Sequence, residues 1–270
     1  MDFCVLLSLY KGELPQFFSS ALKSIWDDQV IKPSQIIMVV DGPIGSELEE
    51  VVSFWLNRLG PDLLSIVRLP ENSGLGAALN KGLEYCRFDL VARMDTDDIS
   101  LPMRFEKQVA FMVEHPEVSA SSCYIEEWDA GMNQFLGLRK VPLESADVYT
   151  LAKRRCPLSH PAAIFRKSSV SAVGGYPPLR KAQDYALWAA MLQHGFVLCN
   201  IPDVLFKMRI QGDVSAKRGF EHLKAEYAIL RYQRKVGFIT KTDFLTNLTL
   251  RALLRLSPAP VRAFLYKIGR

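Results

Sequence analysis

One short stretch of the sequence is suited to metal chemistry. Asp95, Asp97 and Asp98 lie within four residues, directly after a predicted strand that ends at Met94. Three carboxylates this close repel one another, and such a cluster usually persists because a cation or a set of hydrogen-bond donors lies among them. A few carboxylates around a largely hydrated ion favour Mg²⁺ or Mn²⁺. The pattern therefore predicts a divalent cation that shares its coordination with phosphates.

The acidic cluster has two other interpretations. A calcium-binding loop that starts at Asp95 needs a ligand at its fifth position and a glycine at its sixth, where this sequence has Ile99 and Ser100. That interpretation is excluded. The second is an Asp-rich turn that caps the helix predicted after Pro102, with Asp98 or Ser100 as the cap. The sequence leaves this alternative open.

The elements that position this cluster are visible as a regular alternation in the first half of the chain. Short apolar runs indicate buried strands and alternate with helical patterns, which predicts βαβ crossovers and a mostly parallel sheet. The predicted strands cover residues 4–9, 35–40, 64–69 and 89–94, and the predicted helices cover 14–26, 46–59 and 74–86. In the less regular second half, helices are predicted at 102–114 and 182–193, and strands, possibly paired, at 118–125 and 134–141. The fold class is α/β.

In open α/β sheets, ligands bind outside the carboxyl ends of the strands. This rule directs attention to residues 10–13, 41–43 and 95–98. The first strand is not followed by the G-x-G-x-x-G pattern of dinucleotide-binding proteins, and the chain has no Walker lysine motif. Ordinary dehydrogenases and P-loop enzymes are therefore disfavoured.

Charge is distributed unevenly along the 270 residues. From Lys207 onwards the chain holds 14 Lys and Arg against 4 Asp and Glu, whereas residues 1–206 carry a net charge of −6. An acidic body with a basic C-terminal segment indicates an anionic partner for that segment, such as phosphate or a lipid surface. A solvated basic helix is an equally good interpretation.

Cysteine usage and hydropathy predict the compartment. The five cysteines are scattered, odd in number and form no C-x-x-C pair, which is typical of reduced thiols in a cytosolic protein. The N-terminus does not resemble a secretion signal, and no apolar run is long enough to span a bilayer. The expectation is a cytoplasmic protein that is soluble or peripheral to the membrane.

An ordered set of motifs over residues 3–215 resembles the family 2 glycosyltransferases with the GT-A fold, especially bacterial enzymes of O-antigen and exopolysaccharide biosynthesis. The resemblance implies the GT-A fold for residues 1–215, with a basic helical appendage at 216–270. The motifs are the opening strand with Ser8-Leu9-Tyr10, Gln29 followed by 36–42, the stretch 72–82, the acidic 95–98 with 101–105 behind it, Ser159-His160-Pro161, and 183–188.

The resemblance implies a role for each motif. Asp41 corresponds to the family's uracil-binding acid, although the usual doubled acid is absent because Val40 precedes it; a turn-forming Asp is the alternative. Asp95 and Asp97 correspond to the D-x-D motif that holds Mn²⁺ or Mg²⁺ against the donor's diphosphate. Donor nucleotide binding is implied for Ser8, Tyr10, Glu13, Asp41, Asn72, Gly74, Asn80, Asp95 and Arg209. For Gly82, helix packing is the simpler interpretation.

The resemblance also implies a base. Asp184 corresponds to the carboxylate that accepts the proton of the acceptor hydroxyl in inverting members, and a helix N-terminus would keep it ionised; helix capping is the alternative.

Arg93 and Arg104 assist the leaving group or serve as salt-bridge partners. His160 is interpreted as structural. Gln211 stands where the family commonly has a histidine, so a third protein contact to the metal is in doubt.

The basic tail lies beyond the resemblance. Val261, Phe264, Leu265 and Ile268 share one helical face, and residues 246–256 are leucine-rich. These segments are predicted either to lie on an anionic membrane or to pack on the body or on a second subunit in a homodimer. No nucleic-acid-binding module accompanies the charge.

Together these observations predict an inverting, metal-dependent glycosyltransferase, peripheral on the inner face of the cytoplasmic membrane. The resemblance to O-antigen enzymes implies a UDP-sugar donor carrying galactose or glucose, and a polyprenyl-diphosphate-linked saccharide of the N-acetylglucosamine type as the acceptor. A nucleotidyltransferase and a non-catalytic nucleotide-sugar-binding module are the alternatives.

Overall fold

The computed structural model describes residues 1–210 and 220–256 of the chain. Strands and helices alternate through the first half, as predicted, and the second half is mixed. In chain order the elements are β1 (Cys4–Leu9), α1 (Pro15–Ile25), β2 (Gln35–Asp41), α2 (Ser46–Leu59), β3 (Leu64–Leu69), α3 (Leu75–Tyr85), β4 (Leu90–Met94), β5 (Ile99–Ser100), α4 (Arg104–Glu114), β6 (Val118–Asp129), β7 (Phe135–Arg139), α5 (Ser145–Ala152), β8 (Ile164–Arg166), α6 (Lys167–Ala172), α7 (Gln183–Gln193), β9 (Val197–Ile210), α8 (Phe220–Lys235) and α9 (Lys241–Leu256).

The described strands form one sheet in the order β3-β2-β1-β4-β8-β6-β9-β5, and β7 pairs with β6 at the side. The first four strands are mutually parallel. β8 runs antiparallel to both of its neighbours, β6 and β9 are parallel, and β5 is antiparallel to β9. The predicted α/β class, with a mostly parallel sheet and flanking helices, is confirmed.

The register of the parallel strands brings the predicted site segments to one edge of the sheet. Leu9 of β1 lies opposite Val40 of β2, and Leu7 of β1 lies opposite Met94 of β4. Tyr10 follows β1, Asp41 is the last residue of β2, and Asp95 follows β4, so these three residues lie at the same edge of the sheet. This is the edge at which open α/β sheets bind their ligands.

Both faces of the central strands are buried, which explains their continuous apolar sequences. Along β1, Val5, Leu7 and Leu9 pack against the core that α1, α2 and α4 cover. Cys4 and Leu6 face the opposite core, which α3, α6 and α7 cover. The five cysteines are free thiols, as predicted.

Several elements of the second half were not predicted, and the alternative in which Asp98 or Ser100 caps the helix after Pro102 is not found. The predicted pairing of the strands near 118–125 and 134–141 is found in β6 and β7. The 14-residue β9 was missed because Pro202 and several register shifts interrupt its pattern. The capping interpretation is wrong: α4 starts after Met103 without a side-chain cap, and Asp98 instead accepts the backbone N–H of Arg209.

The described part of the C-terminal segment packs on residues 1–210, which we call the body. Ile229, Leu230 and Phe238 are buried against it. On α9, the Asn247 side chain donates to the carbonyl of Lys153 over 2.9 Å, and Arg251 donates to that of Arg154 over 2.6 Å. Of the described helices, none is long and apolar enough to cross a membrane. The apolar face predicted at 261–268 lies outside the described residues.

Candidate active site

A cavity of about 360 Å³ opens at the carboxyl ends of β1, β2 and β4. It brings together eight of the eleven predicted site residues, which come from four separate stretches of the chain. Thr96 and Leu75, which were not predicted, complete the wall. The residues lining the cavity are Ser8, Tyr10, Glu13, Asp41, Asn72, Gly74, Leu75, Asp95, Thr96 and Asp97.

Asp41 ties the end of β2 to the loop before α3. Its Oδ1 accepts the backbone N–H of Ser73 over 2.7 Å, and its Oδ2 accepts that of Gly74 over 3.0 Å. Gly42 has φ +84°, and a Cβ there would lie 2.6 Å from the backbone N of Asn72, so only glycine fits. Asp41 thus has a structural task in this loop, while each carboxylate oxygen keeps a second lone pair.

The N-terminus of α3 faces this cavity. Gly74, with φ +86°, precedes the helix, and no side chain caps it. The first turn also lacks acidic residues. Because the leading N–H groups of a helix carry partial positive charge, this end of α3 is suited to a phosphate.

The acidic cluster at the end of β4 is held by arginines. The guanidinium group of Arg93, which is fully buried, donates to Oδ1 of Asp95. Asp98 is buried behind the cavity, where it accepts the N–H of Arg209 over 2.8 Å. Burial, together with the charges of Asp95 and Asp97, raises the pKa of Asp98. Arg93 is thus a salt-bridge partner, and Arg104 donates to the carbonyl of Arg93 rather than to a carboxylate.

The cavity has a negative electrostatic character, as Glu13 shows. Burial, and then the charges of Asp97 and Asp95, raise the pKa of Glu13 to about 7, although Thr96 and Arg93 oppose the shift. Burial, followed by the charges of Glu13 and Asp97, also raises the pKa of Tyr10. A cation bound among these oxygens would relieve this repulsion.

The carboxylates fit a divalent cation that binds together with phosphates. Among residues 1–210 and 220–256, no three acidic, His or Cys side chains form a complete metal cage. Mg²⁺ commonly takes one or two carboxylates and obtains its other ligands from water and substrate phosphates. Asp95 and Asp97, which line the same cavity as the start of α3, suit that arrangement.

Arg209 lies beside the acidic cluster but not in the cavity wall. Its guanidinium group stacks over the Phe17 ring at 4.1 Å. Nε donates to the carbonyl of Asp97 over 2.6 Å, and Nη1 donates to that of Ala130 over 2.9 Å. These contacts join β9 to the turn that carries Asp97. Gln211 lies outside the described residues.

Asn80 is not part of the cavity wall. Its side-chain amide donates to the carbonyl of Tyr176 over 2.8 Å and accepts the N–H of the same residue over 2.7 Å. These two bonds hold the loop before α7, and the binding of the donor nucleotide by Asn80 stays a prediction. His160, interpreted as structural, is buried and hydrogen-bonds to the Tyr176 hydroxyl over 3.0 Å.

Asp184 is the second residue of α7 and lies outside the cavity wall. Its Oδ2 is 3.6 Å from Sγ of Cys156. Burial raises the pKa of Asp184, and the charge of Asp95 adds to the shift. Backbone N–H groups at the start of the helix lower this pKa but do not cancel the effect of burial. The neighbouring Gln183 packs on Gly76, where a Cβ would lie 3.3 Å from its Cγ, so α7 begins beside the start of α3.

Cys156 is the residue at this site that sequence reasoning missed. Its thiol contacts Asp184 and also donates to the carbonyl of Leu158 over 3.3 Å. Burial and the Asp184 charge raise the pKa of the thiol well above its ordinary value, so it remains protonated. No spacing in the sequence connects residues 156 and 184.

Comparison with known proteins decides the family. Residues 10–174 match the profile of the family described as Glycosyl transferase family 2. The chain belongs to this family. The protein is thus a glycosyltransferase, as the motifs predicted, and the nucleotidyltransferase and binding-module alternatives lose support.

Two relatives are similar over nearly their whole length. The amylovoran biosynthesis glycosyltransferase AmsE of Erwinia amylovora is 39% identical, with 99% of each chain covered. The UDP-Gal:alpha-D-GlcNAc-diphosphoundecaprenol beta-1,3-galactosyltransferase of Escherichia coli is 36% identical, with 98% of this chain and 95% of that protein covered.

Solved structures confirm the GT-A fold. The crystal structure of S. aureus TarS 1-349 in complex with UDP matches 94% of this chain and 72% of its own, with a TM-score of 0.66 and 18% identity. The mannosyltransferase PcManGT from Pyrobaculum calidifontis, in complex with GDP-Man and Mn2+, matches 96% of this chain and 71% of its own, with a TM-score of 0.62 and 19% identity.

Proposed function

We propose that this glycosyltransferase moves a hexose, galactose or glucose, from a UDP-sugar to a lipid-diphosphate-linked N-acetylglucosamine-type saccharide during O-antigen or exopolysaccharide assembly. The observation that carries the proposal is the single cavity that joins Asp41, the α3 N-terminus and the acidic pair Asp95 and Asp97. The UDP-sugar and the lipid-linked acceptor are those in the name of the E. coli relative.

The donor is proposed to span the cavity. Asp41, which keeps free lone pairs beside its two backbone bonds, would accept the N3–H of uracil. The diphosphate would lie between the α3 N-terminus and the acidic pair. Ser8, Tyr10, Glu13 and Asn72 line the space between them.

Asp95 and Asp97 are proposed to hold Mn²⁺ or Mg²⁺. When bound, the cation supplies Lewis acidity that stabilises the charge of the leaving diphosphate. The protein's own contribution is to fix the carboxylates, since Arg93 orients Asp95 and Arg209 holds the backbone of Asp97.

Transfer is proposed to occur in one inverting displacement. The acceptor hydroxyl oxygen attacks the anomeric carbon and forms the new glycosidic bond. The bond from that carbon to the diphosphate oxygen breaks, and its electron pair leaves with UDP. The hydroxyl proton passes to the carboxylate of Asp184, whose burial raises its proton affinity above that of an ordinary aspartate.

A position on the inner face of the cytoplasmic membrane would bring the enzyme to such an acceptor. Three leucines on the outer face of α9 support it: Leu245 is 52% exposed, Leu250 60% and Leu253 65%. The chain from Lys207 onwards carries a net charge of +10. Exposed leucines next to basic residues are suited to an anionic lipid surface.

The proposal is tested with a panel of UDP-, GDP- and dTDP-sugars, with Mn²⁺ and a short-chain prenyl-diphosphate-linked N-acetylglucosamine. The expected result is acceptor-dependent release of UDP from UDP-galactose or UDP-glucose and a β-linked product from the α-linked donor. Release of pyrophosphate, retention of the α configuration, or turnover only with another nucleotide would contradict it.

A further inference from the structure

A group of exposed cations lies on both sides of Asp184, outside the cavity described above. Lys153, Arg154 and Arg155 follow α5, and Arg180 and Lys181 precede α7. We call these five residues the basic rim. Four of them are exposed, and Lys153 is partly buried beside the Tyr149 ring.

Two contacts connect the chain on either side of residues 153–155 to the start of α7. The Tyr185 hydroxyl donates to the carbonyl of Ala152 over 2.7 Å, and the Cys156 thiol contacts Asp184 at 3.6 Å. The three basic residues 153–155 therefore lie between two contacts to the start of α7. Each contact involves a residue at or next to the base.

The second segment is held against the first by apolar packing. Leu179 and Ala182, which flank Arg180 and Lys181, belong to the same cluster as Cys156 and Tyr185. Ala182 also has the left-handed φ of +58°, a conformation that a non-glycine residue adopts only when its surroundings hold it there. The two basic segments thus bracket the Cys156–Asp184 contact.

The rim is not neutralised within the part of the chain that the structure describes. None of the five residues forms an ion pair there within 4 Å, whereas many other arginines and lysines of the body do. The charges of Lys153 and Arg154, after hydrogen bonds from Thr240, help to lower the pKa of Asp243. With Asp243 and Asp184 as its neighbouring carboxylates, the rim of five cations keeps a net positive charge.

A cationic rim beside a general base indicates an anionic group on the acceptor. The donor diphosphate has its own place at the α3 N-terminus and the acidic pair. In an acceptor sugar with a diphosphate on its anomeric carbon, the diphosphate and the attacking hydroxyl are substituents of the same sugar ring. When that hydroxyl reaches Asp184, the diphosphate lies within one sugar ring of it.

We infer that the basic rim is the binding site for the diphosphate of the acceptor, with Arg154, Arg155, Arg180 and Lys181 as its principal ligands. The inference rests on the proposed function, because it uses Asp184 as the base. Arginine binds phosphate oxygens through paired, charge-assisted hydrogen bonds, and exposed arginines on two different segments can grip both phosphates.

The test compares two acceptors that carry the same saccharide, one on a short-chain prenyl diphosphate and one on a neutral alkyl linker. The variants are R154Q/R155Q and R180Q/K181Q. R234Q/K235Q is the matched control, because Arg234 and Lys235 are an exposed basic pair on α8. Wild type should prefer the diphosphate acceptor in kcat/KM. Each rim variant should reduce this preference at least tenfold through KM, with the KM for the donor unchanged, and the control should retain it.

A reduction of the same size on both acceptors, no reduction, or an equal effect in the control would overturn the inference. Anionic lipid headgroups are distinguished by sedimentation with phosphatidylglycerol vesicles. If the rim variants lose vesicle binding but use the soluble diphosphate acceptor normally, the rim serves the membrane and the inference is wrong.

A binding measurement separates this inference from the proposed function. Farnesyl diphosphate is titrated into wild type and both rim variants that have been saturated with UDP and Mn²⁺. If wild type transfers no sugar but binds farnesyl diphosphate at least tenfold more tightly than the rim variants, only the proposed function fails. Equal affinity in all three proteins would contradict the inference, whatever the transfer activity.

Discussion

The Oδ2 atom of Asp41 accepts the backbone N–H of Gly74 over 3.0 Å, and this bond joins the end of β2 to the start of α3. Two sides of the donor cavity, separated by more than 30 residues of sequence, are thereby held in one geometry. The residue that the family resemblance assigns to uracil is also the one that shapes the loop around it. Donor affinity and local stability should therefore change together at this position.

Asp41→Asn should weaken UDP binding at least tenfold. It should also reduce the free energy of unfolding by about 1 kcal/mol, because one of two partly buried backbone donors loses its acceptor. In the variant an NH2 group replaces one of the two carboxylate oxygens, so a donor would face one of the two backbone N–H groups. Calorimetric titration with UDP and urea denaturation measure the two effects. Asp62→Asn, at an exposed position, is the control. Normal UDP affinity in the Asp41 variant would exclude the proposed donor site.

Asp184→Asn should lower kcat by roughly 10²–10⁴-fold, the usual contribution of a general base, while UDP binding changes less than twofold. The amide keeps the shape of the side chain but cannot accept the proton. Steady-state kinetics and a UDP titration on the same preparation give both numbers. Full activity would remove Asp184 from the mechanism.

The protonation of Asp184 adds a pH dependence whose sign follows from burial. Burial raises the pKa of Asp184 in the folded protein. We therefore expect kcat to rise with pH, with the midpoint of this limb above the ordinary Asp pKa of about 3.9. At pH values above the pKa that this carboxyl has in the unfolded chain, its raised pKa in the folded protein lowers the free energy of unfolding. Asp184→Asn should therefore be at least as stable as wild type at pH 7, measured by urea denaturation, and its residual activity should lack the limb.

Asp97→Ala should abolish the metal dependence of UDP binding. In wild type, replacing Mn²⁺ with EDTA should weaken UDP binding at least tenfold, because the cation links the acidic pair to the diphosphate. In the variant, affinity should be low in both conditions. The prediction is wrong if the variant still responds to Mn²⁺ as wild type does.

Gly82→Ala should destabilise the fold by about 1–3 kcal/mol without changing the affinity of the folded protein for UDP. A Cβ there would lie 2.4 Å from Cδ1 of Leu6 and 2.8 Å from Cγ2 of Val39. Gly137→Ala is the matched control, because a Cβ at that position meets nothing within 4 Å. Denaturation curves compare the two. Equal stability would show that the sheet yields to accommodate the methyl group.

The triple variant L245S/L250S/L253S should bind anionic vesicles at least tenfold more weakly than wild type and retain its fold. These side chains are exposed on α9, so their loss removes apolar surface that lipid would bury but that the body does not. Phe54→Ser, at a 60% exposed position on α2, is the control. Vesicle sedimentation and circular dichroism measure binding and fold. Undiminished vesicle binding would remove this face from the membrane contact.

Much of the first half of the fold was predictable from local sequence. Central parallel strands are buried on both faces, so β1, β2 and β4 are mostly apolar in sequence, although β4 contains Arg93, and their ends identify the cavity. The same reasoning could not find β9, whose pattern is broken by Pro202, or β8, which has only three residues. These strands are specified by partners distant in sequence.

By itself, the sequence determined the α/β class, the family and most of the cavity wall, because motifs at strand ends keep their spacing along the chain and parallel strands end at a common edge. Only the tertiary structure decided that Asn80 holds the Tyr176 backbone and that Cys156 contacts Asp184. It also placed the basic residues after α5 beside those before α7. The segments that make these contacts are far apart in the chain, and no sequence pattern relates them. Their contacts therefore depend on how the elements pack.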